Sequence, residues 1–308
     1  MSGLGGVLLR RLVSGVTALF LLVAAVFFVT RIMGDPVAGL AGEHATPEIR
    51  AALRARLGLD RPLGEQFITY VAEVARGDFG ESYRLSRPAI GLIVERLPAT
   101  LALASLSMVL GVVIALPVGV ISAIKPGSVL DSVARSFAVL GQSVPLFWLG
   151  ILLIIVFAVN LQVLPAGGRE SWKNLVLPAS TLAFASLPLT MRITRSAMLE
   201  VLNNDYVRTA RAKGLSEPRV IIGHVLRNAL IPVITVLALR LGTVVSGSVV
   251  VEEVFGYPGV GRLALQSLRT YDFPLIQGFI IMVAAAIIVI NLVADILYTV
   301  ADPRVRLS

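Results

Sequence analysis

The chain has 308 residues, 56% of them hydrophobic and 15% charged, with a net charge of +8 and no cysteine. A soluble domain carries about a quarter charged residues, so the excess apolar surface needs lipid and the composition is that of a polytopic membrane protein. Disulfides, thiolate metal sites and cysteine nucleophiles are excluded; the positive charge, which in a soluble protein would point to nucleic acid, has first to be sorted by membrane side.

Arg10 and Arg11 precede an apolar run that ends at Thr30. The run is about 20 residues long, enough for a bilayer, and no small-residue cleavage site follows it. Residues 1–33 therefore read as an uncleaved first transmembrane helix. Residues 34–97 are soluble in character. Between Arg31 and Leu97 nine basic residues meet nine acidic ones, as suits an external segment. Within it, "TPEIRAALRARLGL" has a cap at Thr46, proline at the first helical position and a stop at Gly58, the signature of a short helix. "GEQFITYVAEVARGDFG" reads as a second one.

Residues 98–303 form a five-helix membrane core. The apolar stretches lie near Pro98–Ile124, Ser136–Leu161, Leu175–Met191, Leu230–Val251 and Leu275–Val300. The segment "LQVLPAGGRES" at the end of the second of these reads as re-entrant or interfacial. Pro117, Pro145, Pro188 and Pro232 fall inside spans and remove backbone donors there. Such prolines are either packing irregularities, common in membrane helices, or bends that shape a cavity or gate.

Charge settles a topology. The loop with Lys125 and Arg135, the loop from Arg192 to Asn228 and the tail with Arg304 and Arg306 are basic, while loops 162–174 and 252–274 are close to balanced. The positive-inside rule then predicts six spans with both termini cytoplasmic.

The cytoplasmic loop 196–229 contains "DYVRTARAKGLSEPRV". Asn203 or Asn204 can cap a helix through Ala212, Gly214 can end it in a left-handed turn, and Ser216 can cap a second helix with Pro218 in its first turn. Tyr206, Val207 and Ala210 make an apolar-to-small face, and Arg208 and Arg211 a basic one. The residues alone fit an anchor to anionic headgroups, a solvated loop, or a docking element for a cytosolic partner, with Ala210 and Gly214 allowing close approach.

The stretch "DYVRTARAKGLSEPRVIIGHVLRNALIPV" resembles the cytoplasmic loop of permease subunits of bacterial ATP-binding-cassette importers, in the dipeptide/oligopeptide branch. Arg208 and Thr209 stand where the general importer motif has Glu and Ala, and Asn228 where proline often falls; Ala210 and Gly214 are kept. "LRARLGLDRPLGEQF", "RGDFGESYR", "ERLPATLALA", "FWLGILLIIVFAVNLQVLPAGG", "EEVFGYPGVGRL" and "ADPRVR" extend the likeness, in order, over nearly the whole chain.

The resemblance implies an all-α integral membrane protein of the type I importer permease fold, six spans with an external helical insertion between the first two, in the bacterial inner membrane. It implies as partners a second homologous permease, one or two cytosolic ATP-binding subunits and an extracytoplasmic substrate-binding (lipo)protein, with di- or oligopeptides as cargo. No partner of this kind is a nucleic acid, and no cofactor or metal is expected on this chain. Carried over residue by residue, the coupling element is Arg208, Ala210, Arg211, Lys213, Gly214, Leu215 and Ser216. The same branch carries haem, nickel chelates and glutathione, which stay open as alternative cargo.

The chain has no G-x-x-x-x-G-K-[ST] loop, so nucleotide hydrolysis is expected on another chain and no catalytic residue is assigned here. "GVGRLA" (Gly259–Ala264) matches G-x-G-x-x-A, but lacks the strand and acid of a dinucleotide site. As a turn and short helix, Tyr257, Pro258, Gly259 and Gly261 are candidates for an external gate or binding-protein contact. His44 and His224 fall on opposite predicted sides and cannot share a metal.

Arg240 and Asp295 are charges at membrane depth, which are costly and usually paired or pore-facing. They are candidates either for mutual or intersubunit pairing or for the translocation path, and Gln142 and Asn291 are weaker cases. Ser143, Ser246 and Ser248 belong to small-residue stretches that suit either helix packing or a weakly binding path. A self-sufficient secondary transporter would require inverted repeats and an ion-coupling cluster; neither is evident in the sequence.

Overall fold

A computed structural model describes residues 4–33, 36–41 and 46–301. His44, the tail with Arg304 and Arg306, and the side chain of Asp295 lie outside the described residues. Among those described, the chain is helical apart from an isolated bridge between Glu81 and Pro88. In order the helices are α1 (Leu4–Met33), α2 (Pro36–Ala41), α3 (Pro47–Arg56), α4 (Leu63–Ala75), α5 (Ala89–Ile124), α6 (Val129–Ser143), α7 (Leu146–Leu153), α8 (Val176–Leu202), α9 (Asp205–Ala212), α10 (Glu217–Val220), α11 (Arg227–Val254), α12 (Val260–Arg269) and α13 (Phe273–Ala301). Among the described residues five helical stretches are long and apolar enough to cross a membrane, six if α6 and the helix after it count as one broken span.

The first of the two short helices expected between the first two spans, α3, follows the capping chemistry. Thr46 accepts the Ile49 amide at 3.5 Å, Pro47 opens α3, and Gly58 leaves it at a φ of 66°. Four expectations need correction. The second span begins at Ala89, nine residues before Pro98, because "IGLIVER" continues the helix without a break. The third span is not one rod. It bends by 105° at Val144–Pro145, where proline cannot donate to the preceding turn, and continues as α7 and a π-helical segment, Ile154–Asn160. By contrast, Pro117, Pro188 and Pro232 sit inside continuous helices. The fourth span outlasts Met191 and runs to Leu202. The helix begun at Glu217 is not a separate short one. Through a π-helical segment, Ile221–Leu226, it becomes α11, so the break in the basic insert is confined to residues 203–216.

The described residues fall into two compact units. The first comprises the chain to Thr100 with Pro258–Val293. Phe27 of α1 packs on Phe67 and Tyr70 of α4, and Phe28 on Phe67, with ring centroids 5.3–5.6 Å apart. Gln277 of α13 donates to Thr30 of α1 at 2.7 Å. The buried Asp272 accepts from the Ser82 hydroxyl at 2.5 Å and from the Tyr83 amide at 3.1 Å, which pins the segment before α5 to the start of α13.

The second unit comprises Leu101–Tyr257 and is centred on α8. Thr181, Ser186, Thr190 and Thr194 line the buried side of α8, and each hydroxyl returns to a carbonyl three or four residues earlier at 2.8–2.9 Å. The polar groups are thereby satisfied inside one helix, and a neighbour can approach without meeting an orphan donor. The neighbour is α5. A Cβ added to Gly111 would lie 2.7 Å from the Ser186 hydroxyl, and one added to Gly119 would lie 2.7 Å from Thr194 Cβ and 2.8 Å from the Met191 carbonyl. The two glycines and their two partners are each eight residues apart in the same sense, so the helices run parallel in close contact.

Gly119→Ala therefore forces α5 off α8 and lowers stability by about 1–3 kcal/mol. Gly91→Ala, on the same helix where a methyl meets nothing within 4 Å, gains up to about 1 kcal/mol. Thermal unfolding of the two detergent-purified variants checks the contrast in sign.

Candidate functional site

The basic insert folds into an elbow whose hinge is a glycine. α9 ends with the Gly214 amide on the Arg211 carbonyl at 2.9 Å and the Leu215 amide on the Ala210 carbonyl at 3.4 Å, with Gly214 at φ 80°. This double closure of the last turn satisfies carbonyls that would otherwise face nothing, and only a residue without Cβ takes that φ cheaply. Asn204 and Ser216 occupy the cap positions of α9 and α10 by backbone geometry, though neither side chain makes the capping bond. Arg211 grips Glu217 across the turn, with Nε–Oε1 at 2.7 Å and Nη2–Oε2 at 3.4 Å.

The inner side of the elbow is apolar. Val207 and Ala210 are buried with Ala123 of α5, Ala197 and Met198 of α8, and Val220, Ile221 and Val225. Leu215 packs on the edge of this cluster. Tyr206 stays exposed and accepts a hydrogen bond from Asn228 at 3.1 Å, which ties α9 to the foot of α11. Of the seven residues singled out from sequence, Arg208, Arg211, Lys213, Gly214 and Ser216 lie on the outside. Ala210 faces inward, and its smallness fits α9 to this chain's own bundle. Gly214 has open space around its Cα, and its φ of 80° gives it a conformational role in the turn.

Beside the elbow lies a carboxylate that sequence reasoning passed over. The Asp131 side chain is 0% exposed. It receives Arg195 Nε at 2.7 Å and Nη2 at 3.1 Å, the Gly127 amide at 2.9 Å and the Ser122 hydroxyl, with Arg135 Nε at 3.6 Å. One buried anion thus joins the end of α5, the turn after it, α6 and α8. The available signal was that Asp131 is the lone acid between Glu95 and Glu170.

Two clefts open along the same helices. One of about 460 Å³ is lined by Ser122, Arg135, Gln142, Ser143, Arg192 and Arg195 among others. The second, about 430 Å³, shares Gln142 and Arg192 and adds Gly141, Val144, Leu189 and Arg240. Gln142 therefore lies with Ser143 in the first cleft and with Arg240 in the second. Ser246 is exposed and donates to the Gly242 carbonyl at 3.1 Å; Ser248 is buried and bonds to the buried Glu252 at 3.2 Å; Asn291 is exposed. None of these three lines the two clefts.

The loop after α11 is packed and closed. Phe255 and Tyr257 are buried, as are Gly259 and Gly261, while Pro258 is half-buried. The Gly168 amide donates to the Phe255 carbonyl at 3.2 Å. Asn174 organises the irregular segment before α8: it donates to the Gly167 carbonyl at 2.5 Å and to Glu170 at 3.0 Å, and accepts the Ser171 amide at 2.9 Å. Burial pushes the Tyr257 phenol up, against the opposing pull of Arg169. Among the described residues no group of acids and histidines is arranged to hold a metal.

Residues 115–307 match the family described as the binding-protein-dependent transport system inner membrane component, and residues 6–104 match its N-terminal region. The chain belongs to this family. It is 40% identical to the dipeptide transport system permease protein DppB of Escherichia coli K12, with 91% of this chain and 92% of that one covered. It is 42% identical to the glutathione transport system permease protein GsiC of the same strain, with 97% and 98% covered. The fold is similar to that of the MetNI methionine ABC transporter in an inward-facing form, with a TM-score of 0.58, 20% identity and 69% of this chain covering 97% of that one. An amino acid ABC transporter with histidines gives a TM-score of 0.51 at 21% identity, covering 70% and 95%.

The protein is accordingly a multi-pass inner-membrane permease, a non-catalytic transmembrane component of an ABC transport system that works with a binding protein and ATP-hydrolysing partners. In this permease the Asp131–Arg195 pair braces the helices under the elbow. Removing one partner strands the other, so Asp131→Ala or Arg195→Ala costs about 3–5 kcal/mol, whereas Asp131→Leu with Arg195→Met together costs far less. A double-mutant cycle by thermal unfolding of the purified complex measures the coupling.

Proposed function

We propose that this permease is half of the membrane pathway of an ATP-driven importer of small peptides, glutathione among them, and that the α9–α10 elbow is where cytosolic ATP-hydrolysing subunits grip it. Both termini and the elbow face the cytoplasm in this reading, in line with the basic character of residues 192–228. A second permease of the same kind completes the pathway, and an extracytoplasmic binding protein delivers the cargo. The names of the relatives support a cargo carrying a peptide bond; haem and nickel chelates are the alternatives within the branch.

The observation that carries the reading is the construction of the elbow. A lever must keep its shape while being pushed. Here the outer face is basic and exposed, the inner face is held in an apolar cluster, and the far arm continues unbroken into α11. A push on Arg208 or Lys213 is thereby delivered to α8 and α11 as whole helices. The surface ion pair of Arg211 with Glu217 adds at most about 1 kcal/mol, so the apolar seat and the glycine turn supply most of the stiffness.

Gly214→Val forces a branched side chain to φ 80° and disfavours the elbow by about 1–2 kcal/mol, cutting ATP-driven uptake about 5–30-fold. Gly214→Asn, which tolerates the turn, retains most of it. Uptake by the reconstituted complex, with pull-down of the ATPase subunits, reads the difference. Intact uptake and retention of the subunits in the Val variant would falsify the coupling role.

A further inference from the structure

α4 is apolar along most of its length, yet none of its 13 residues is buried. Glu65 and Glu73 are its only charged side chains. At 1.5 Å per residue it reaches roughly 20 Å, short of the hydrocarbon thickness of a bilayer. An apolar helix of that length is a core helix or an interfacial one, and the lack of burial excludes the core.

Three stripes run along it at helical spacing. Phe67, Tyr70, Val71 and Val74 are half-buried. Glu65, Thr69 and Glu73 are polar and exposed. Ile68, Ala72 and Ala75 are also exposed and carry no polar group. A helix resting on a protein in water needs only the first two stripes, so the third is left for a different medium.

α1 fixes what that medium is. The apolar run that crosses the membrane ends at Ile32. Leu21, Ala25, Phe28, Val29 and Ile32 recur at helical spacing and are exposed, the stripe that a span turns to acyl chains. Phe28 lies one turn short of its end, and its ring stacks on Phe67 with centroids 5.6 Å and planes 24° apart. α4 is therefore held on the lipid-facing flank of α1, where hydrocarbon gives way to headgroups. Ile68, the residue after Phe67, is 70% exposed there. Tyr70 is an aromatic of the kind enriched at membrane–water interfaces. Arg61 and Arg76 stand exposed just before and just after the helix, placed to reach phosphates while their stems lie along apolar surface.

We infer that α4 is an interfacial helix lying in the leaflet at the C-terminal end of α1. Its Ile68–Ala72–Ala75 stripe meets acyl chains, its Glu65–Thr69–Glu73 stripe meets water, and Arg61 and Arg76 sit at the level of the headgroups. Phospholipid is thus the partner of the third stripe. The segment between the first two spans lies partly in the membrane, where its balanced charge alone suggested water. The placement depends on α1 being a span and is the same for any cargo.

The chain has no cysteine, so Ile68→Cys, Ala75→Cys and Thr69→Cys each take one environment-sensitive fluorophore in the assembled complex, with cysteine-free partner chains, in nanodiscs. All three positions are exposed, so labelling displaces no packed side chain. Ile68 and Thr69 are adjacent but point about 100° apart around the axis. The labels at 68 and 75 emit further to the blue, are quenched by lipids with a nitroxide near the headgroup end of the acyl chain, and escape aqueous iodide. The label at 69 shows the reverse order of quenching. Equal iodide quenching of all three labels overturns the inference and leaves α4 in water. Protection of the labels at 68 and 75 from both quenchers overturns it in favour of a covering protein.

Discussion

The buried carboxylate of Asp131 is the constraint on which the second unit depends. An ionised acid without water must be given as many donors as it has lone pairs, and those donors must stay in place. Arg195 comes from α8, Ser122 from the end of α5, and the Gly127 amide from the turn between α5 and α6. None of these elements can slide without exposing an uncompensated charge. The helices on which the elbow sits therefore have a fixed mutual register at this end, and the elbow inherits it through Ala123, Ala197 and Met198.

Farther along the same helices, adhesion is of a different kind. Glycines of α5 face hydroxyl-bearing residues of α8 that have already spent their hydrogen bonds on their own backbone. Lipid is as apolar as leucine, so such a contact gains from close approach and dispersion, not from the exclusion of water. The unit thus joins a charge-locked end to a contact-locked middle. The sharp bend at Pro145 opens beside the latter, where Gln142 and Ser143 gather.

Much of what depends on neighbours in the chain was legible in the sequence. Thr46, Pro47 and Gly58 mark the bounds of α3, and Gly214 and Pro218 mark the elbow, because capping and φ preferences act within one turn. Span number followed from apolar length. What escaped depends on residues far apart. Asp131 and Arg195 are 64 positions apart, and no local pattern links them. Ala210 was read as a surface for a partner since a small residue looks the same whether it admits a foreign helix or its own. The extension of α8 past Met191 was hidden because arginines beyond it suggest a loop, although a helix leaving the apolar layer carries such residues readily on its exposed turns.

The π-helical segment Ile221–Leu226 sits between the elbow and the body of α11. A wider turn accommodates what amounts to one additional residue, and one residue of α-helix is worth about 100° of rotation. The segment thus sets the phase of everything downstream: which azimuth of α11 carries Arg240, which carries Ser248, and which is left to the surroundings. Angular indexing of a whole transmembrane rod is in this way stored in a six-residue stretch whose single titratable side chain is His224. A single-residue change in its length would act as a rotation, while composition and hydropathy shift by only that one residue.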